Sequence, residues 1–535
     1  MDLRLGARAA GLLVPVLALL LAAPAFADIG PRDAQRAAER DPNVVEAMRS
    51  EPELEPSVSR QDDQLWRVSW LAGDEDEVVR VVVDPATGDV RDSWTGYQVA
   101  WQMARGNEGQ FGHVLNAPYV WIPLCVVFLL GLLDWRRPFR IAHLDLLVLL
   151  AFGASHVFFN RGEIGLSVPL AYPPLIYLLA RMVWVGFRGG ERLRPTAPTL
   201  ALALAAVFLI AFRVTLNIAD SGVIDVGYAG VIGADRVIAG EPLYGEGAFP
   251  EDNPSGDTYG PVNYYAYVPF ELALPWSGEW DDLPAAHAAA IAFDLATVIG
   301  LLFLGLRLRS GAPGRRLGIV LAFAWLAFPY TAFALQSSSN DGLVAALVVW
   351  SLVAFASPAG RGVLLTLAAA TKLAPLALVP LYAAGERRLL GRPRRRALRD
   401  TAVFSAALLA TIAAVAIQPA LDPGLATLWD RTIANQADRE SPFSIWGQEP
   451  GLEWLRVATI AFAAALALLV AFVPRRRSLP QIAALTAAIL IAVQLTAEHW
   501  FYLYIPWFLG PLLAAILAGV RPSHSAPGRF RRASG

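Results

Sequence analysis

The chain has 535 residues, 56% of them hydrophobic and only 17% charged, with a mean hydropathy of +0.45. That composition excludes an ordinary soluble domain and belongs to a polytopic membrane protein. A net charge of -2 gives no ground for nucleic-acid binding, and a single cysteine, Cys125, excludes a disulfide framework within the chain.

Residues 1–27 read as a secretory signal. Arg4 and Arg8 form the basic region, Leu12–Leu21 the apolar stretch, and Ala25-Phe26-Ala27 a small-residue cleavage site. An uncleaved anchor helix is the other reading, and both place the adjoining segment outside the cytoplasm. Residues 28–115 are expected to form a small extracytoplasmic α+β domain. A helical stretch over Arg32–Arg49 precedes an alternating strand, Leu65–Trp70. Two more strands, Val78–Val83 and Val90–Trp94, flank a tight turn at Asp84-Pro85-Ala86-Thr87-Gly88-Asp89. Helix, strands and VDPATGDV together resemble a PepSY-type domain, which implies a binding or regulatory appendage.

From Pro118 onward about eleven apolar spans are expected, near 118–134, 142–158, 167–187, 198–216, 286–308, 317–334, 342–356, 401–418, 456–473, 479–496 and 502–520. The first three make an accessory region (116–197), residues 198–520 form the membrane core, and 521–535 are a basic tail. Arginines at 136–137, 188–194, 307–316, 361 and 475–477, with those of the tail, all fall on the cytoplasmic side when the N-terminus is outside. Residues 362–384 break this pattern as a single span, because both flanks are basic. Their middle, Thr371-Lys372-Leu373-Ala374-Pro375, is a helix breaker, so a re-entrant helical hairpin with Lys372 near its tip is expected. The polar loops 217–285, 336–341, 419–455 and 497–500 then lie outside, where nucleotide triphosphates and nucleotide sugars are absent.

The longest of these loops carries the candidate chemistry, since connections of this length are functional or disordered. It opens with Asp220 and Asp225, continues as an amphipathic helix to Gly240-Glu241-Pro242, and returns through Tyr259-Gly260-Pro261-Val262-Asn263. Asp225 is placed either as a general base near the bilayer surface or as a helix N-cap, with Asp220 competing for the base role. Lys372 is the one lysine among 44 basic residues, and a lone intramembrane ammonium suits an anionic partner or snorkels. Arg213, which could instead snorkel, and His499, which could instead belong to the aromatic belt, are further anion-binding candidates. The turn Gln336–Asp341, with Gln336 and Asn340, either binds hydroxyl groups or is a solvated turn, and Ser441–Gly447 is either a substrate platform or a packed loop. No metal-ligand spacing and no phosphate-binding glycine loop is evident.

These motifs occur in one order: IDVGYAGVIGADRVIAGEPLYG, TYGPVNYYAYVPF, LQSSSNDGLVAAL, AAATKLAPLALVPL and SPFSIWG. Over about 198–520 the chain resembles the polyprenyl-phosphate-sugar-dependent membrane glycosyltransferases of the C superfamily, especially glycosyltransferase family 87 and its mannosyltransferases. The resemblance implies a catalytic acid at Asp225, with Tyr228, Gly240 and Tyr244 in the same pattern, and a lysine followed by proline at Lys372 and Pro375. It implies substrate contacts at Tyr259 and Asn263 on the return of the loop, and inverting transfer from a lipid-linked donor to a glycolipid or polysaccharide acceptor at the outer face of a bacterial plasma membrane. No cofactor is implied, and a divalent metal stays open. The rivals are a lipid or sugar transporter and a non-catalytic PepSY-bearing protein.

Overall fold

Proline and aspartate divide the first helical stretch in two, α1 (Pro31–Ala38) and α2 (Pro42–Ser50). Pro42 suits a first helical position, where its missing N–H would be unpaired anyway, and Asp41 accepts from the Asn43 amide at 2.9 Å. The computed structural model describes residues 28–61, 65–73, 76–106, 113–385, 394–435, 441–474 and 477–519. The signal region, the tail 521–535, and parts of the loops near 386–393 and 436–440 lie outside the described residues. The chain divides at Gly106 into two compact units.

In the first unit the helices are followed by a four-stranded antiparallel meander, β1 (Glu55–Gln61), β2 (Leu65–Ala72), β3 (Asp76–Val83) and β4 (Val90–Thr95). The register sets Val68 opposite Val81 and Trp70 opposite Val79, so one apolar face forms. That face meets Ala34, Ala38 and Val44 of the helices in a single core. Asp84 organises the expected turn by accepting from the Ala86 amide at 2.8 Å, while Gly88 supplies a positive φ of 78°. Strand β1 was not expected. Its side chains are almost all exposed on both faces, so no alternation marks it.

The second unit is helical, and its helices fall where spans were expected. Labels run α3 (Pro118–Leu132), α4 (Ile141–Asn160), α5 (Ile164–Arg188), α6 (Thr199–Ala219), α7 (Asp225–Ala239), α8 (Pro284–Leu308) and α9 (Gly311–Ala327). They continue as α10 (Pro329–Gln336), α11 (Asp341–Val353), α12 (Pro358–Ala369), α13 (Val379–Ala384), α14 (Arg394–Leu421), α15 (Glu453–Phe472), α16 (Leu479–Gln494) and α17 (Ile505–Ala518). Among the described residues six helices are long and apolar enough to cross a membrane, namely α4, α5, α6, α8, α14 and α15. Helices α9 and α10 make a seventh span when taken together, bent by 61°. The other expected spans hold shorter apolar helices of 10–17 residues. The result is a helical membrane protein whose central element is α17, a helix apolar all round and buried along its whole length.

The bend has a local cause. Pro329 lacks an N–H and its ring clashes with the Trp325 carbonyl one turn earlier, so a straight 317–334 helix is excluded. The freed carbonyls are met from elsewhere. Thr331 Oγ1 donates to Trp325 O (2.5 Å) and Phe328 O (2.8 Å), and Arg213 Nη1 donates to Leu326 O at 3.1 Å.

Residues 358–384 turn back on themselves. Helix α12 ends at Ala369, a turn carries Lys372, and a short 3-10 helix (Ala374–Leu378) leads into α13. Arg361 near the start donates through Nε to Tyr382 O near the end at 2.9 Å, so both arms begin and finish at one level.

Candidate active site

Helix α7 is laid flat by glycine. A Cβ on Gly227 would meet Ser338 O at 2.4 Å, one on Gly230 the Tyr267 ring at 2.7 Å, and one on Gly233 the Tyr264 ring at 2.1 Å. Spaced three residues apart on one face, they let the helix backbone lie directly on its neighbours. Gly240 closes the helix in the left-handed conformation, where the sequence placed its end. The start differs from the capping expectation. Ile224 holds the cap position without a side-chain bond, so Asp225 is the first helical residue, its side chain exposed. Asp220 instead ends α6 and accepts from the Val114 amide at 2.8 Å, fixing the approach of residues 113–116.

The polar turn Gln336–Asp341 connects this helix start with the break that carries Lys372. On one side Ser337 O accepts from the Ile224 amide at 3.0 Å. On the other, Asn340 Nδ2 donates to Asn263 Oδ1 at 2.6 Å, and Lys372 Nζ donates to Asp341 Oδ1 at 2.7 Å. Trp507 Nε1 donates to the same carboxylate oxygen at 2.9 Å. The ammonium lies 5.2 Å from the Tyr504 ring centre, 5.4 Å from Trp507 and 6.0 Å from Tyr259, a cation walled by aromatic faces. Gly260 reaches the break so closely that a Cβ there would sit 2.0 Å from Ala370 O, and Val262 N donates to that oxygen at 3.1 Å.

Several polar atoms of this cluster are buried without a partner among the described residues: Asn263 Nδ2, Asn340 Oδ1, Asp341 Oδ2, Gln336 Oε1 and the Tyr267 hydroxyl. Buried polar groups are nearly always satisfied, so a concentration of orphans along one turn marks a place for external hydroxyls or water. Lys372 is 13% exposed, whereas Asp341 is fully enclosed. The ammonium has three donors and spends one on a side chain among the described residues.

The remaining expected residues are arranged differently. Tyr244 Oη donates to Tyr259 O at 2.9 Å and so positions the aromatic wall indirectly. Tyr228 is buried against Trp280, its phenol pushed up to about 12 by burial and by the nearby Asp252 carboxylate. Arg213 is 1% exposed, with its guanidinium taken up by Asp294 at 2.8 Å and by the carbonyls of the bend. The structure does not bring it to the lysine cluster. His499 bonds Ser441 Oγ at 2.9 Å and meets Phe443 edge-on. Within Ser441–Gly447 the indole of Trp446 is buried and donates to Leu495 O, so the segment packs as a loop. Among the described residues no three His, Cys, Asp or Glu side chains gather as a metal site.

Asp341, Tyr504, Trp507 and His287 were not expected in the site. His287 Nδ1 lies 3.1 Å from Asn217 Oδ1 and 3.4 Å from Ser338 Oγ, at the root of the long loop. Asp341 had a signal. It is the one acid in the apolar stretch 317–356, as Lys372 is the one base in its own segment, and such charges in a membrane seek each other.

A bundle of membrane helices around a lysine–aspartate pair, together with comparison to known families, supports the class of membrane glycosyltransferases. The model of glycosyltransferase family 87 matches residues 258–520, a little under half of the chain, so this segment is similar to that family. The matched segment holds Tyr259, Asn263, Asp341, Lys372, Tyr504 and Trp507; Asp220 and Asp225 precede it. Comparison with curated proteins gave no match.

Proposed function

We propose that the protein moves a sugar from a polyprenyl-phosphate donor to a hydroxyl of a cell-envelope glycolipid or polysaccharide, at the outer face of a bacterial plasma membrane. The observation that carries this reading is the Lys372 ammonium. Among the described residues it is fixed by one carboxylate, walled by aromatic rings, left with two donors, and bordered by orphaned amide groups. That is a setting for a phosphate with sugar hydroxyls beside it.

In the proposed reaction the acceptor oxygen attacks the anomeric carbon as its proton passes to the Asp225 carboxylate. The bond from that carbon to the phosphate oxygen breaks, and its electron pair leaves on the polyprenyl phosphate. Attack from the face opposite the leaving group inverts the centre. Lys372 meets charge as it grows on the departing phosphate, the interaction that lowers the barrier most. Asn263 and Asn340 orient the sugar, and Tyr259 and Tyr504 wall the phosphate side. The N-terminal unit serves as a binding appendage, in keeping with helices packed on a small antiparallel sheet.

Proteoliposomes supplied with polyprenyl-phosphate-mannose test the reading. Asp225→Asn is expected to abolish transfer while donor still binds, and Asp220→Asn to retain most of it. Full activity in both variants would place the base elsewhere. A wild-type protein that transfers nothing from any lipid-phosphate sugar would overturn the function.

A further inference from the structure

Away from Lys372, at the far end of the bundle, lies a cavity of about 200 Å3. Arg192, Arg194 and Arg316 line it over an apolar floor that includes Leu317, Val320 and Leu517. Helix α17 fixes the distance between the two places. Trp507 near its start bonds Asp341, and Leu517 near its end lines the cavity, so they stand roughly 15 Å apart at 1.5 Å per residue.

The cavity is built by backbone strapping. In the linker after α5, Leu193 N donates to Ile516 O at 3.0 Å and Arg192 Nε donates to Leu517 O at 3.3 Å. Arg309 donates to Ala518 O at 2.6 Å and Arg316 to Pro195 O at 3.1 Å. A helix C-terminus is a favourable place for cations, because its last carbonyls are unpaired and carry partial negative charge. Gly519 then passes so close to the linker that a Cβ would lie 2.5 Å from the Arg192 Cβ.

What the strapping does not do is neutralise the arginines. Among the described residues no carboxylate pairs with Arg192, Arg194 or Arg316; the nearby Glu191 faces Arg140 instead, at 3.7 Å. Each guanidinium has five N–H donors. Arg192 and Arg316 each spend one hydrogen bond on protein, and Arg194 spends none among the described residues. Burial and the charges of Arg309, Arg194 and Arg316 draw the Arg192 guanidinium down to about 10, a sign of cations crowded together.

We propose that this pocket binds a phosphate group, with the apolar part of its carrier lying over Leu317, Val320 and Leu517. Arginine forks match phosphate oxygens in pairs, and basic pockets between membrane helices suit anionic headgroups. The apolar floor favours a phospholipid over a free ion.

The full chain in nanodiscs separates the sources. Its unfolding midpoint is measured in phosphatidylcholine, in phosphatidylcholine with phosphatidylglycerol, and in phosphatidylcholine with added inorganic phosphate. The expected result is a rise with phosphatidylglycerol that depends on its fraction. Arg194→Gln and Arg316→Gln are each expected to weaken the apparent affinity about tenfold or more. Arg194→Gln removes no side-chain bond among the described residues, so a folding defect is not expected to obscure it. If inorganic phosphate alone reproduces the full rise, the pocket stands and its ligand is soluble. Equal midpoints in all three conditions, or variants that keep the full rise, would overturn the proposal. A purely topogenic role for these arginines predicts that same equality.

Discussion

Two apolar helical stretches of this protein are interrupted, and at each interruption a cation pairs with a buried carboxylate. At the bend before Pro329, Arg213 faces Asp294; at the break of the 358–384 hairpin, Lys372 faces Asp341. The pairs look alike by distance, 2.8 and 2.7 Å. They differ in what is left over. The guanidinium meets one carboxylate, two carbonyls freed by the bend, the Thr331 hydroxyl and the Thr331 carbonyl, and it is sealed from solvent. The ammonium meets one carboxylate oxygen, and the other oxygen has no partner among the described residues. A charge whose two terminal nitrogens are both engaged, and which is sealed from solvent, holds a fold together. One with donors in reserve beside orphaned polar atoms is poised for a ligand.

Breaking the first pair is expected to have the largest effect. Arg213→Met strands the Asp294 charge and removes the guanidinium bond to the Leu326 carbonyl, at a cost of about 3–5 kcal/mol. Removing both charges, Arg213→Met with Asp294→Asn, should recover only part of this, because the guanidinium bonds to the Leu326 and Thr331 carbonyls are still lost. Thermal unfolding in detergent measures both. At the second pair the double variant Lys372→Met with Asp341→Asn is expected to unfold near the wild-type midpoint, since replacing an isolated buried pair by neutral groups is often tolerated. Its sugar-transfer rate should nevertheless fall by about 10²–10³, the scale of losing one transition-state contact to charge. If the two double variants lose stability equally, the contrast between structural and functional pairs fails.

The contrast also explains what could be read ahead. The lone lysine, its helix-breaking neighbours and the helix ending at Gly240 are local patterns, and the structure places an interruption and a helix end there. Arg213 reads from sequence as a donor-phosphate contact because a cation on an apolar helix looks the same whether or not it is used up. Only the fold shows that the carbonyls freed by Pro329 lie against it. Asp341 lies 31 residues from Lys372, a separation at which no periodicity applies. Asp225 and the cap position were confused by one residue, a difference that sequence does not resolve. Strand β1 has no apolar alternation, and its place in the sheet comes from pairing with β2.

Gly260→Ala sharpens the comparison from the side of the return segment. The added Cβ would sit 2.0 Å from Ala370 O, which is backbone and cannot swing away. A shift costing about 1–3 kcal/mol is expected. The same shift moves the turn that carries Lys372, so transfer should fall alongside stability. Loss of stability with an unchanged transfer rate would separate the Gly260 contact from the lysine cluster.

The smallest effect is expected at a charge cluster with access to solvent, Glu77 in the N-terminal sheet. Burial raises its carboxyl, but hydrogen bonds from Arg80, Ser69 and Arg67 outweigh that and hold it at about 2, against an ordinary 4.5. A carboxyl held low in the folded state favours folding while the unfolded chain would bind the proton more readily. The contribution is therefore complete above about pH 4.5 and disappears as pH falls towards 2. A shift of this size corresponds to about 3 kcal/mol at most. Arg67 is 37% exposed, so solvent screening reduces the expected figure to roughly 1–2 kcal/mol. The check is the urea midpoint of wild type against Glu77→Gln, read from hydrogen exchange of peptides covering residues 65–83. The difference should be largest near neutral pH and shrink to little by pH 2. A difference that persists undiminished in acid would mean that Glu77 acts through shape and hydrogen bonding that Gln cannot copy, and not through its charge.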